Sequence, residues 1–268
     1  MIEFSVSGIG AWGPCFGNWS DLLHGVRSGQ WAEDVPLKPE RIPPRERRRS
    51  PAFVKMAVEV MSQACAAADV DPQDLAVVFA TAMSDMQTND YMCRVLVDTP
   101  AAVSPTKFHN SVNNAATGYW SIATGSLAAS NALCAFRHSA GMGLLEAAAQ
   151  VVAERRPVLL VVQDEAAPAP LAHICPSTVD LALAVLLEPA GSQPGARARW
   201  RLETTAGPVP GSAMPAGLAE RVAGNPAADL LPFLLAHAQG ESGAVVSIPL
   251  SEQLAARLAR IDDAGASA

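Results

Sequence analysis

The chain has 268 residues, half of them hydrophobic, and a formal net charge of −7 at pH 7. A chain of this length can bury one large core, so we expect one compact unit. The excess of acidic residues disfavours a surface that tracks phosphates, and nucleic acid is not an expected partner. No apolar run approaches the roughly 20 residues of a membrane span, and no basic flank with a long apolar segment opens the chain. We therefore expect a cytoplasmic protein without a membrane span.

The five cysteines suggest neither a disulfide framework nor a metal site. They are widely spaced, and no CxxC pair or histidine cluster accompanies them. Reduced, mostly buried thiols explain this pattern better than paired disulfides or a zinc site. We predict no metal and no cofactor.

Predicted strands and helices alternate along the first 162 residues. The predicted strands lie at 3–9, 75–82, 131–136 and 158–162, and the predicted helices at 19–26, 53–68, 110–125 and 139–152. Residues 30–50, rich in proline and charge, predict a surface loop. Gly118 inside the third helix predicts a closely packed neighbour. This alternation is typical of a layered α/β domain around a largely buried sheet.

Gly8 and Gly10 close the first strand and predict a tight turn. Their GxGxxG-like spacing lacks the helix start and the downstream acidic residue of a dinucleotide site, so a nucleotide is not expected. The last third of the chain predicts strands at 181–187 and 199–204 with a hairpin-like loop at 189–198 between them. A helix at 227–238, a strand at 244–248 and a helix at 251–261 complete the predicted elements.

Residues 104–161 contain a helix, a strand, a sharp turn and a second helix, the arrangement that presents a nucleophile in condensing enzymes. Residues 1–205 resemble the N-terminal half of β-ketoacyl synthases of the thiolase-like fold, and more closely the short synthase-like proteins found beside aryl polyene and related polyketide-type pathways. The segments that carry the resemblance are GIGAWGP, ATAMSD, SPTKFHNSVNNAATGYWSIATGS, GLLEAAAQ and PVLLVVQDE. The resemblance implies a layered α/β fold with a mixed sheet. It also implies a truncated C-terminal half, with residues 206–268 as a short extension that packs on the same domain.

In active members of the family, a cysteine nucleophile stands between this strand and this helix, where the helix N-terminus lowers the pKa of the thiol. Ungapped alignment from Gly118 and from Glu165 places Arg137 at that position. Cys134 falls three residues earlier, where we predict a core cysteine inside the strand. The resemblance therefore implies a chain without a catalytic residue and without independent condensing activity.

Other polar residues offer alternative nucleophiles. A Cys134–His138 dyad would need side chains that face each other across a strand-to-helix turn, which close neighbours rarely do. Ser139 fits better as the N-cap of the following helix. His173 and His237 stand outside the two histidine motifs of active members. A stand-alone acyl transferase or hydrolase that uses Cys134 or Ser139 remains the alternative function.

The resemblance implies an inactive subunit, similar to a chain length factor, that forms a heterodimer with an active β-ketoacyl synthase. Such a subunit shapes the acyl tunnel of its partner during polyene or fatty-acyl chain elongation on carrier protein. The residues matched to the tunnel or the interface are Met83, Lys107, Phe108, Asn131, Ala132, Leu133, Cys134 and Phe136. Met83 could also be ordinary core, and Lys107 could point to solvent. A scaffold that only stabilises the synthase is a third hypothesis.

An acyl carrier protein is the second expected partner. The arginine run at residues 45–49 is a candidate dock for such an acidic protein. A solvated loop is the alternative interpretation of the same charges.

Overall fold

An eight-stranded mixed sheet forms the centre of the computed structural model, which describes residues 1–191, 198–207 and 210–261. The strands are β1 (Ile2–Trp12), β2 (Ala76–Ala80), β3 (Ser130–Leu133), β4 (Val158–Asp164), β5 (Leu181–Pro189), β6 (Arg199–Ala206), β7 (Val245–Ser251) and β8 (Leu254–Ile261). Their order across the sheet is β3-β2-β4-β5-β1-β6-β8-β7, with β2, β3 and β4 parallel and the other pairs antiparallel. This order places β3 at one edge of the sheet and β7 at the other.

The helices of the described residues lie on both faces of this sheet. They are α1 (Trp19–Ser28), α2 (Pro44–Arg47), α3 (Ala52–Ala68), α4 (Met86–Asp98), α5 (Pro105–Asn110), α6 (Ala115–Thr124), α7 (Ser139–Glu154), α8 (Ala216–Arg221) and α9 (Leu231–Gln239). The predicted helix at 227–238 begins as a 3-10 turn (Pro226–Leu230) and continues as α9.

Two apolar layers, one on each face of the sheet, explain the sequence of β4. Leu160 and Val162 belong to the layer formed with α7 and α9, whereas Leu159 and Val161 belong to the layer formed with α3 and α6. Because both faces of β4 are covered, its apolar run does not alternate with polar residues. The same reasoning accounts for β5, which is buried from Leu181 to Glu188.

Gly8 and Gly10 lie inside β1, so the predicted tight turn at this point is wrong. A Cβ atom on Gly8 would stand 2.1 Å from the carbonyl oxygen of Ala64, and one on Gly10 would stand 2.1 Å from that of Val60. Both carbonyl groups belong to α3. The glycines are therefore needed for the close approach of a helix backbone to the sheet, which a sequence pattern does not distinguish from a turn.

The predicted helix at 251–261 is wrong, because these residues form β8 between β6 and β7. Ala255, Ala256 and Leu258 are buried there, and β8 pairs with β6 along its whole length. Alanine and arginine favour a helix, but pairing of the exposed edge of β6 outweighs this local preference. The predicted hairpin-like loop at 189–198 lies largely outside the described residues. The strands it joins flank β1 and do not pair with each other.

Residues 105–136 also depart from the predicted elements. The predicted helix at 110–125 is interrupted: α5 ends at Asn110, and α6 begins at Ala115. A Cβ atom on Gly118 would meet no atom of the described residues within 4 Å, so the prediction of a closely packed neighbour is wrong for that part of the chain. The predicted buried strand at 131–136 is also wrong in length and burial. It is the four-residue edge strand β3, partly exposed, and in the described part of the chain it pairs only with β2.

Candidate functional site

The candidate site is the turn between β3 and α7. A 3-10 turn (Phe136–His138) connects the two elements, and Phe136 has a φ of 51°. Such a positive φ is uncommon outside glycine and persists where the surrounding structure enforces it. The buried Ser139 hydroxyl accepts a hydrogen bond from the Ala135 N–H at 2.9 Å and lies 2.8 Å from the carbonyl oxygen of Thr81. These contacts fix the turn to the carboxyl end of β2.

Arg137 lies in this turn with its side chain exposed. Its guanidinium carbon is 5.4 Å from the centre of the Phe136 ring, so the group stacks on its neighbour and faces solvent. The residue borders an open cleft of about 350 Å³ that is also lined by Cys175, Asn225 and Asp229. An arginine stays protonated in proteins. The position therefore offers a fixed positive charge and no nucleophile.

Cys134 is exposed beyond the last residue of β3, so the prediction of a core cysteine is wrong. The strand is shorter than its apolar pattern suggested, and nothing covers its outer edge in the described residues. Desolvation of the partly shielded thiol raises its pKa, and the Asn113 side chain, 3.4 Å away, lowers the pKa by less. His138 lies 3.5 Å from a carboxylate oxygen of Glu252 instead of pairing with the thiol. The Cys134–His138 dyad is not formed.

Ser139 is fully buried, and its hydroxyl is occupied by the hydrogen bonds of the turn. It is the first residue of α7, whose N-cap is His138, so the prediction that Ser139 is the N-cap is wrong. His237 accepts a hydrogen bond from the Trp200 indole at 3.2 Å, and burial lowers its pKa to about 4. His173 is exposed in the loop between β4 and β5. Among the described residues, neither His173 nor His237 lines the cleft beside the turn.

The thiols differ in exposure more than the sequence suggested. Cys65 and Cys175 are buried, Cys15 is half-buried, and Cys93 and Cys134 are exposed. No group of three His, Cys, Asp or Glu side chains within the described ranges could hold a metal ion. None of the helices in those ranges is long and apolar enough to cross a membrane.

Exposed apolar side chains are frequent in the sequence on both sides of β3. Among the described residues, the large apolar side chains between α4 and the turn that are at least 39% exposed are Leu96, Val97, Phe108, Val112, Ile122, Leu127 and Phe136. Leu127, three residues before the start of β3, is 99% exposed. Within β3, Asn131, Ala132 and Leu133 are each partly exposed. A free strand edge beside exposed apolar side chains is the usual signature of a surface that pairs with another chain. We call residues 96–136 the apolar segment.

The residues matched to the acyl tunnel occupy two places. Met83 follows β2 and is half-buried, and its carbonyl oxygen lies 3.4 Å from the side-chain nitrogen of Asn89. Lys107 and Phe108 lie on α5 and are exposed, Phe108 to 61%. The Lys107 ammonium group stands 3.9 Å from the centre of the Tyr91 ring on α4, a cation–π contact. The structure thus places Lys107 and Phe108 within the apolar segment and Met83 outside it.

A group of buried carboxyl groups at the end of β4 was not singled out from the sequence. Burial raises the pKa of Asp164 to about 7, although Thr81 and the Ala82 N–H donate hydrogen bonds to it. Burial, with repulsion from Asp85 and Asp180, raises the pKa of Glu165 to about 8. The available signal was the pair of acidic residues directly after a long apolar strand, a position where burial is expected.

The comparison with known families identifies the class of protein. Residues 19–226 match the model of the β-ketoacyl synthase N-terminal domain, and the chain belongs to this family. A search of curated proteins found no match. The fold is the thiolase-like fold of ketosynthases, in an α/β arrangement around the mixed sheet.

Several solved structures share this fold. A chain in the structure of the ketosynthase ApeO in complex with its chain length factor ApeC from Xenorhabdus doucetiae is 20% identical, with a TM-score of 0.72, and the match covers 97% of this chain and 100% of that one. The ishigamide ketosynthase/chain length factor gives 15% identity, a TM-score of 0.71 and the same coverage of both chains. AntDE:AntF, a type II PKS acyl-carrier protein in complex with its ketosynthase, gives 14% identity and a TM-score of 0.64 over 77% of this chain and 70% of that one.

Proposed function

We propose that the chain is a chain-length-factor-like subunit that forms a heterodimer with an active β-ketoacyl synthase in the cytoplasm. In this role it shapes the acyl tunnel of its partner while a polyene or fatty-acyl chain grows on acyl carrier protein. The observation that carries the proposal is the free edge of β3 within the exposed apolar segment. Pairing with a partner chain would remove that edge and those side chains from water.

The geometry of the β3–α7 turn supports a non-catalytic role for this chain. The exposed Arg137 stands where the resemblance places the nucleophile. The thiol of Cys134 has a raised pKa, and the hydroxyl of Ser139 is buried and occupied. A nucleophile needs an accessible, activated atom with a base in hydrogen-bond reach, and neither side chain meets that requirement here. This argues against the stand-alone acyl transferase or hydrolase.

The matches to solved structures support the same proposal. Two of them extend over the full length of the matched chain, and both matched chains belong to structures of a ketosynthase with a chain length factor. We also propose that residues 1–205 form the synthase-like domain and that 206–268 are an extension of it. Strands β7 and β8 lie within that extension and continue the same sheet.

Reconstitution of chain elongation tests the proposal. The synthase is assayed with acyl carrier protein and extender units in the absence and presence of this chain, and products are identified by mass spectrometry. We expect no product from this chain alone, and full-length product only when both proteins are present. Turnover of an acyl thioester by this chain alone would overturn the proposal and favour the stand-alone enzyme. An unchanged product profile without this chain would also overturn it.

A further inference from the structure

A second cleft, of about 470 Å³, lies between the loop before α3 and the beginning of α4 and α5. Its walls include Arg48 and Arg49 from the loop, Lys107 from α5, Asp85 before α4, and Glu165 after β4. Its volume is within the roughly 300–1,000 Å³ of small-molecule sites. Asp85 and Glu165 have no part in the proposed function, whereas Arg48 and Arg49 belong to the candidate carrier-protein dock and Lys107 to the residues matched to the tunnel.

Glu165 carries the argument for a ligand. It is 4% exposed, and its Oε2 atom has no hydrogen-bond partner among the described residues. The backbone N–H groups of Gln87 and Met86 partly offset the rise that burial causes in its pKa. Asp85, the other carboxyl group of the cleft, is 2% exposed, and both its oxygen atoms accept hydrogen bonds from Thr88. A buried polar atom without a partner is rare in a native protein and marks a place where another molecule can supply one.

Three cations face the same cleft. Arg48, Arg49 and Lys107 are exposed, and no side-chain carboxylate among the described residues forms an ion pair with them. Two guanidinium forks and an ammonium group match the charge and the acceptor oxygens of a phosphate. The buried wall of the cleft, which we call the deep wall, is formed by Glu165. Its carboxyl group carries no positive charge, unlike the three cations.

The walls of the cleft are connected to the rest of the fold. The Asn110 side chain donates a hydrogen bond to the carbonyl oxygen of Arg49 at 3.2 Å and accepts one from the Tyr119 hydroxyl at 3.2 Å. The Gln87 side chain donates to the carbonyl oxygen of Ala166 at 3.2 Å. The loop, α5 and α6 are thereby joined on one side of the cleft, and α4 is joined to the end of β4 on the other. Such a site loses little entropy when it binds a ligand.

We propose that this cleft binds a phosphate ester whose chain carries amide or hydroxyl groups. The phosphate lies at the outer rim against Arg48 and Arg49, and a polar group of the chain reaches the carboxyl group of Glu165. Burial raises the pKa of Glu165 to about 8. At neutral pH this carboxyl group is therefore mostly protonated and can donate a hydrogen bond to a carbonyl or hydroxyl oxygen. No bond is made or broken in this step.

Two kinds of ligand carry these groups: a free phosphorylated metabolite and the 4′-phosphopantetheine arm of a carrier protein. The second source rests on the proposed function, and the first does not. Calorimetric titrations with free 4′-phosphopantetheine and with its unphosphorylated form, pantetheine, test the shared chemistry. Titrations with a carrier protein that carries the arm and with the same protein lacking it test the second source. Each titration uses the full chain, alone and in complex with the synthase.

We expect 4′-phosphopantetheine to bind at least about ten-fold more tightly than pantetheine, since the lost phosphate removes charge-assisted hydrogen bonds. The double variant Arg48→Ala/Arg49→Ala should weaken binding by a similar factor. Arg45→Ala removes a charge from the same loop but not from the cleft, and it should leave binding within two-fold. Glu165→Gln keeps a hydrogen-bond donor at the deep wall and should keep the affinity within about three-fold.

Binding of the free ester alone would assign the site to a metabolite. Binding of the arm-bearing carrier protein, lost in the double variant, would assign it to the arm. The proposal is overturned if neither 4′-phosphopantetheine nor the arm-bearing protein binds, or if the double variant binds as the wild type does. Formation of the synthase complex, measured separately in the same variants, shows whether the proposed function has failed instead. We expect that complex to form in all of them.

Discussion

Phe136 and Arg137 define the candidate site at the scale of single residues. The positive φ of Phe136 marks a sharp turn at the start of α7, and the next residue points a permanent cation toward solvent. The sequence located this turn, because an apolar strand followed by a helical pattern requires one. It did not indicate that Cys134 is exposed or that the Ser139 hydroxyl is buried. Both depend on where β3 ends and on how α7 packs against β2, which are tertiary contacts.

Arg137→Ala is predicted to leave the activity of the reconstituted complex within a few-fold of wild type. The side chain is exposed and contacts the Phe136 ring, and the proposed function gives it no role in bond making. Arg137→Cys is predicted not to create condensing activity, since the histidines of active members are missing. Steady-state rates measured on purified complexes check both outcomes. A large loss of turnover in Arg137→Ala, with the complex still assembled, would show that the guanidinium acts directly.

Glu165 makes the stability of the fold depend on pH. Burial raises its pKa to about 8, above that of the unfolded chain, so the folded state holds a proton that the unfolded state has lost. Stability should therefore fall as the pH rises from about 4.5 to about 8 and then level off. Glu165→Gln removes this dependence. We expect its Tm to exceed that of the wild type by at least about 4 °C at pH 9, with little difference at pH 5. Calorimetry checks this, and parallel pH profiles for the two proteins would contradict it.

At the scale of elements, the predictions were correct where the local sequence pattern fits only one kind of secondary structure. The helical stripe over α3 and the continuous apolar run of β4 each allow a single interpretation, and both elements are present. Residues 254–261 include good helix formers, and the spacing of their apolar residues suits a helix or a strand. Their strand conformation is decided by pairing with β6, whose paired residues lie 48 to 62 positions earlier in the sequence. Local preference is a weak guide when such a partner exists.

Gly10→Ala is predicted to destabilise the fold by about 1–3 kcal/mol or more, because its Cβ would overlap the backbone of α3 at Val60. Gly118→Ala is the matched control. Gly118 lies inside α6, and a Cβ there would meet no atom within 4 Å among the residues that the structure describes, so the substitution should be neutral or stabilise by about 1 kcal/mol. Urea unfolding of both variants measures the difference. Equal stabilities would mean that α3 lies farther from β1 than the structure places it.

At the scale of the whole molecule, the two sheet edges differ in what surrounds them. Strand β3 lies within the apolar segment, whereas Val245 is the one exposed large apolar residue among the described residues of β7 at the opposite edge. The family resemblance implies that a partner covering β3 would have Met83 and Phe108 near its acyl cavity. The sequence pointed to this surface only through the resemblance. The apolar pattern alone had assigned the strand to the core.

Met83→Ala and Phe108→Ala are each predicted to shift the products of the reconstituted complex toward longer chains. If either side chain limits the cavity, each additional buried CH₂ gains about 0.8 kcal/mol, so two carbons change the partitioning about ten-fold. Met83→Trp should shorten the products. Mass spectrometry of the released chains checks all three. Unchanged lengths with intact complexes would mean that length is controlled elsewhere.

The molar mass of the co-expressed proteins tests the central claim most directly. Light scattering is predicted to show a one-to-one complex, with one chain of 27.9 kDa bound to each synthase protomer. Leu127→Glu, in the exposed segment before β3, should abolish the complex, and Val245→Glu, at the opposite edge of the sheet, should leave it intact. The isolated chain should self-associate or precipitate, because its free edge and apolar segment remain in water. A stable 27.9 kDa monomer that does not bind the synthase would contradict the account.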